Sequence, residues 1–207
     1  MAATELTKEL KGQARLGAER RASIVDAAIE VFAQRGFRGG ALADVAELVG
    51  MTPAGILYHF GSKEALLAEV IAERDRRAGE QMVDLPIEGG LASLRGIVRF
   101  AEACEREPGL ATLHTVLQVE SFEPDHPAHA YFRRRSRILQ RWMEETLQAA
   151  QQAGEVRADL DCASKGREIV AFLEGAAVVW LVDPKVSLVD LYTDYLASLE
   201  AAIGVAS

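Results

Sequence analysis

The sequence predicts an all-α protein, with a small N-terminal three-helix domain joined to a larger helical domain. Three observations carry this. Ala, Leu, Glu and Arg dominate the composition, and all four favour helix. Apolar positions recur every three to four residues, and no stretch alternates with period two. Glycine and proline fall between most of the periodic segments rather than inside them.

Each element can be placed in order. Residues 1–18 are polar with mixed charge and two glycines, and are expected to be a flexible segment. The first helix is expected over 19–35, where Ile24, Ala27, Ala28, Val31 and Phe32 make one apolar face and Gly36 stops it. A second is expected over 41–49, with Leu42, Val45, Ala46 and Val49 on one side, Gly40 as N-cap and Gly50 at its end. A third runs over 53–59, capped by Thr52 and opened by Pro53. The fourth starts at Ser62 and extends to about Val83 on a stripe of Leu66, Leu67, Val70 and Ile71. The segment from Leu85 to Gly90 then breaks the pattern. Further helices are expected at about 91–106, 109–120, 127–153, 164–182 and 187–203. Pro108-Gly109, Glu123-Pro124, Gly154 and Asp183-Pro184 separate them. The implied organisation is 1–18, then a domain over 19–61, then a domain over 62–207.

Composition excludes several classes of function. No apolar run approaches the roughly 20 residues that cross a bilayer, so no membrane partner is expected. The N-terminus has no apolar core of a secretory signal, and a cytoplasmic location is expected. Cys104 and Cys162 belong to no CxxC pair, so neither a disulfide framework nor a cysteine zinc site is indicated. The net charge is −8, but residues 1–63 sum to +1 and the rest to −9. Charge attraction is screened beyond about 8–10 Å, so an acidic chain can still carry a face suited to phosphates.

The stretch 41–59 reads as two short helices joined by the tight turn Val49-Gly50-Met51-Thr52, the pattern of a helix-turn-helix. In that arrangement the second helix presents its first residues to base edges in the major groove while the first braces it. Small residues at Ala54 and Gly55 favour close approach. Tyr58 and His59 add a hydroxyl and an imidazole. Lys63, at the next helix start, offers a charge for a phosphate beside free N–H groups.

Gly36-Phe37, the run AlaAspValAla at 43–46 and GMTPAGILYHFGSKEALL at 50–67 resemble the DNA-binding module of the TetR family. The resemblance covers about residues 20–70, with the stretch from Tyr58 to Leu66 its most specific part. It implies a helix-turn-helix repressor that dimerises on double-stranded operator DNA. It further implies a C-terminal helical domain for effector binding and dimerisation. By position it assigns Thr52, Pro53, Ala54, Gly55, Tyr58 and His59 to the recognition helix and Lys63 to a phosphate contact. Gly40-Ala41 replaces the usual Thr or Ser, so Ala41 stands at a DNA-facing position without a hydroxyl. Leu57 stands where the family often has Tyr.

The C-terminal part carries two further expectations. Helix 164–182 is apolar almost all round, which calls for burial on more than one side. With helix 187–203 it resembles the family's dimer-forming pair. Phe172, Gly175, Ala176, Val179, Trp180, Tyr192, Tyr195, Leu196 and Leu199 are the candidate interface of a homodimer. The alternative is that both helices complete a monomer core. Candidate effector-lining residues are Phe100, Cys104, His114, Leu117, Gln118, Phe122, Trp142, Met143 and Phe172. This mostly apolar set suits an apolar or amphipathic small molecule. Plain core packing is the competing account for each.

No metal or cofactor is expected. His126 and His129 have workable spacing, but read as surface residues beside a proline. Arg133-Arg134-Arg135 with Arg137 reads as a solvated or salt-bridged face. An enzyme is not expected, because HExxH, a glycine-rich phosphate loop and a nucleophile elbow are all missing. A helical-bundle enzyme and an adaptor without DNA binding remain the alternatives to a regulator.

Overall fold

A computed structural model describes residues 2–80, 90–183 and 185–205. The expected helix end at Val83, most of the 85–90 break and Pro184 lie outside the described residues. Among the described residues the chain forms nine helices: α1 (Ala2–Gly39), α2 (Leu42–Leu48), α3 (Pro53–Phe60), α4 (Lys63–Glu80), α5 (Gly90–Arg106), α6 (Pro108–Glu120), α7 (His129–Gln152), α8 (Cys162–Val182) and α9 (Leu188–Ile203). They pack as two units, Met1–Asp75 and Arg76–Ser207, with the division falling inside α4.

In the first unit α1 is longer than its apolar stripe. It begins at Ala2, because the stretch ahead of residue 19 is rich in good helix formers. Ile24, Ala28 and Phe32 are buried with Val31, Val45, Ala46, Ile56, Leu66, Leu67 and Val70. Burial of those three α4 residues explains why the first part of α4 packs with this unit. Gly36 breaks α1 where the sequence places a stop, at φ 70° and ψ 178°, a region open almost only to glycine. One further turn follows, and Phe37 packs edge-on against Phe32 with ring centroids 5.8 Å apart.

Gly40 does not cap α2. The N-cap is Ala41, whose backbone N–H is bound by the Asp44 carboxylate at 2.9 Å. Gly40 is instead a site of close approach. A Cβ there would lie 2.9 Å from the Gly36 carbonyl oxygen, Phe32 Cδ1 and Val31 Cγ1.

The second unit is built on the pairing of α7 with α8, with α5 packed against α7 and α9. Leu94, Met143, Leu147, Ile169, Trp180, Leu188, Tyr192 and Leu196 share its core. Gly154 ends α7, its N–H bonded to Gln151 O and the next N–H to Ala150 O. Two carboxylates cap helices remote in sequence. Glu105 of α5 accepts from Ser187 Oγ and from the N–H groups of Leu188 and Val189 at the start of α9. Glu155 accepts from Leu91 N–H at the start of α5. Such contacts satisfy donors that a helix start leaves open.

Gly40→Ala is expected to destabilise the protein by about 1–3 kcal/mol, the usual cost of forcing a methyl into a filled space. It should appear as a lower urea midpoint at unchanged slope. Gly39→Ala, whose added methyl meets only Arg35 Cβ at 3.7 Å, should leave the midpoint almost unmoved.

Candidate nucleic-acid interface

The turn between α2 and α3 has a full set of backbone bonds. Gly50 sits at φ 63°, its N–H bonded to Glu47 O, and Met51 N–H reaches Ala46 O at 2.8 Å. This pair of bonds around a left-handed glycine ends α2 within one residue. Thr52 then opens α3, its hydroxyl accepting from Gly55 N–H at 3.1 Å, with Pro53 at the first helical position. Gly61, at φ 79°, closes α3.

The two faces of α3 differ sharply. Ile56 and Phe60, four residues apart, point into the core. Thr52, Pro53, Ala54, Leu57 and Tyr58 are exposed, Tyr58 at 88 %. His59 is half-buried, its ring edge-on to Tyr58 with centroids 5.6 Å apart. Gly55 leaves room that a larger residue would have to take from the Met51 tip. A Cβ would meet the Met51 methyl at 3.0 Å and Thr52 Oγ1 at 3.5 Å, so its face looks back at the turn. The outward row of hydroxyl, small apolar and phenol groups can donate, accept and pack against base edges.

Three polar braces fix this face, and the sequence pattern had pointed to Lys63 and Ser62 but not to Arg21 or Asp44. Arg21 of α1 donates to the His59 carbonyl, ion-pairs with Glu69 of α4 at 3.1 Å, and lies 4.2 Å from the Phe60 ring centroid. It thereby ties α1, α3 and α4 together. Asp44 joins α2 to α1 through Arg35 at 2.7 Å. Its carboxyl is held below the usual aspartate range, chiefly by the Ala41 N–H and then by Arg35. Lys63 is half-buried, with Nζ 4.5 Å over the Phe37 ring. The α4 start is capped by Ser62, which accepts from Ala65 N–H. The Glu64 carboxyl is lowered first by its own backbone N–H and then by the Ser62 hydroxyl. Part of the N–H field at that helix start is therefore already used. Ala41, the other predicted position, is exposed at the start of α2.

Residues 24–70 match the family model described as bacterial regulatory proteins, tetR family, a segment that contains α2, the turn, α3 and the first part of α4. Over that segment the chain is similar to the TetR family. The Escherichia coli K12 regulator UidR is 25 % identical over 156 residues, covering 75 % of this chain and 78 % of UidR. The regulator RutR of the same strain is 41 % identical over 54 residues, 26 % of each chain. The fold extends further than the sequence likeness. The structure of the Bacillus subtilis regulator FadR in complex with stearoyl-CoA superposes with a TM-score of 0.72 at 20 % identity, over 88 % of this chain and 98 % of that one.

In the second unit the remaining predicted residues sort by exposure. Of the proposed lining set, Leu117 and Met143 are buried in the core, while Phe100, Cys104, His114, Gln118 and Phe172 are half-buried. Phe122 and Trp142 are exposed. His114 lies 3.7 Å from Glu174 and packs near Phe132. His126 Nδ1 accepts from Ala128 N–H, and His129 Nδ1 lies 2.8 Å from Ser121 O, so these two histidines order the loop before α7. Among the described residues no cluster could hold a metal.

Of the proposed dimer-interface set, Ala176, Trp180, Tyr192, Leu196 and Leu199 are buried within the subunit. Side chains already buried this way have little area left to offer a partner. Phe172 and Tyr195 stack on each other at 3.7 Å and are half-buried. Gly175 and Val179 face outward, joined by Val178 and Val182, which the sequence reading left out. No helix among the described residues is long and apolar enough to cross a membrane.

Arg21→Ala is expected to cost about 1–2 kcal/mol, from one charged hydrogen bond and one partly exposed cation–π contact. Chemical denaturation would measure it. Asp44 adds a pH term. Because its folded pKa is lowered, its contribution is complete above the ordinary aspartate value near 4 and fades as pH falls through the lowered one. Asp44→Asn should therefore lower the melting temperature at neutral pH and reduce its fall between about pH 4 and pH 2.

Proposed function

We propose that this protein is a ligand-responsive repressor that binds a palindromic operator as a homodimer and is released by a small-molecule effector. The observation that carries the proposal is the α3 face, where exposed Thr52, Pro53, Ala54 and Tyr58 stand on a helix anchored by Ile56 and Phe60. Gly55 and His59 belong to the same helix, Ala41 and Lys63 flank it, and these residues form the proposed DNA contacts. Residues 19–61 are the reading domain, and 62–207 the effector and dimerisation domain. The protein acts in the cytoplasm and performs no catalysis.

Two recognition helices in one dimer enter successive major grooves about 34–36 Å apart. The outward face of α8, with Gly175 and Val179, supplies the two-fold contact. The effector is an apolar or amphipathic molecule held among the half-buried residues around Phe100, His114 and Phe172. The structure of the similarly folded FadR in complex with stearoyl-CoA supports this reading. Effector binding favours a different tilt of α4 and moves the reading heads out of register. By linkage, DNA weakens effector binding by the same factor.

Titration onto the DNA upstream of the protein's own gene, at two salt concentrations, tests this reading. Tight, salt-sensitive binding to one palindrome is expected. Lys63→Ala should reduce the slope of log affinity against log salt by about 0.9 per protomer. Tyr58→Ala should weaken specific binding by about 5- to 30-fold, the equivalent of 1–2 kcal/mol. Affinity equal to that for unrelated DNA would overturn the proposal.

A further inference from the structure

We propose that the N-terminal half of α7 and the loop ahead of it form a docking surface for a second copy of this chain, apart from the apolar face of α8. Between Asp125 and Glu144 there is no acidic residue, yet five arginines occur. Four of them, Arg133, Arg134, Arg137 and Arg141, are exposed. At 100° per residue, Arg134, Arg137 and Arg141 lie within about 60° of one another on the helix. Ile138, 61 % exposed, and Trp142 continue the same side.

Among the described residues, none of these four arginines has an ion pair or side-chain hydrogen bond. Elsewhere in the unit arginines do find carboxylates, as Arg95 does in Glu200 and Arg157 in Asp159. Like charges three and four residues apart repel. Among the described residues nothing compensates this row, whereas an acidic partner would relieve it. Arginine with tryptophan and isoleucine, and without lysine, is also the composition of interface centres.

The chain itself supplies the complement. Residues 64–207 sum to −9, and the loop before α7 exposes Phe122, Glu123 and Asp125. Buried His126, bonded to Ala128 N–H, and His129, against Ser121 O, fix this loop on the helix start. The arginine row follows about 6–18 Å along the helix from His129. Acid with an exposed phenylalanine therefore precedes base with exposed isoleucine and tryptophan at fixed spacing. Two copies related by a two-fold axis can each lay the loop on the other's row, which closes the pairing. A nucleic acid or foreign acidic protein would need the row alone, and would leave the neighbouring acids and Phe122 unexplained.

Sedimentation of the full chain at about 0.01 M and about 1 M salt, where the screening length falls from 30 to 3 Å, tests this. The expected low-salt mass is twice the high-salt mass. Arg137→Glu with Arg141→Glu makes loop and row both acidic. Glu123→Arg with Asp125→Arg makes both basic. Each variant alone should stay at the high-salt mass, and an equimolar mixture should regain the doubled one. Arg137→Gln with Arg141→Gln is the milder variant if charge reversal prevents folding, and should also lose the doubling. A wild-type mass independent of salt, or doubling that survives in the variants, would overturn the proposal. A salt-independent mass with weakened operator binding by the row variants would overturn it in favour of nucleic acid.

Discussion

The first unit depends on one constraint: α2 and α3 are too short to stand alone. Helices of seven and eight residues cannot recover the cost of nucleation, so neighbours must hold them. Ile56 and Phe60 anchor α3 and, four residues apart, take one face of it inward. Everything outward on α3 is then presented by default. The Gly50 turn sets the angle between the helices, and Thr52 and Pro53 start α3 without a frayed turn.

Charged side chains do much of the bracing, and they act across the chain. Arg21 links three helices, Asp44 links two, and Glu105 and Glu155 close helix starts over 60 residues away in sequence. Each places a charge or an acceptor against backbone groups that a helix end leaves open. A carboxylate at a helix N-terminus also gains from the macrodipole. The acidic balance of the second unit is therefore partly structural.

The helix pattern was largely legible. The buried stripe of α1, the glycine stops at 36, 50 and 154 and the Thr52-Pro53 start all follow from local rules that act within four residues. The misreading of Gly40 shows where such rules end. Glycine at a helix start looks like a cap, but its role comes from Phe32 and Val31 pressing on the position from another turn. Residues 2–18 were read as flexible from their polarity, although their helix propensity was the stronger local signal. In the second unit, apolar stripes on α8 and α9 were visible, yet a stripe does not reveal which neighbour covers it. Trp180 and Leu196 face the subunit's own core, while Val178 and Val182 face outward.

By itself the sequence determined the all-α class, the place of the helix-turn-helix and the family resemblance, because periodicity, caps and turn chemistry are local properties. Only the tertiary structure decided that Arg21 reaches His59 and Glu69, that Glu105 caps α9, and which apolar residues remain exposed. Those facts depend on pairs 38 to 83 residues apart, brought together by packing. No pattern within one helix encodes the identity of its neighbour.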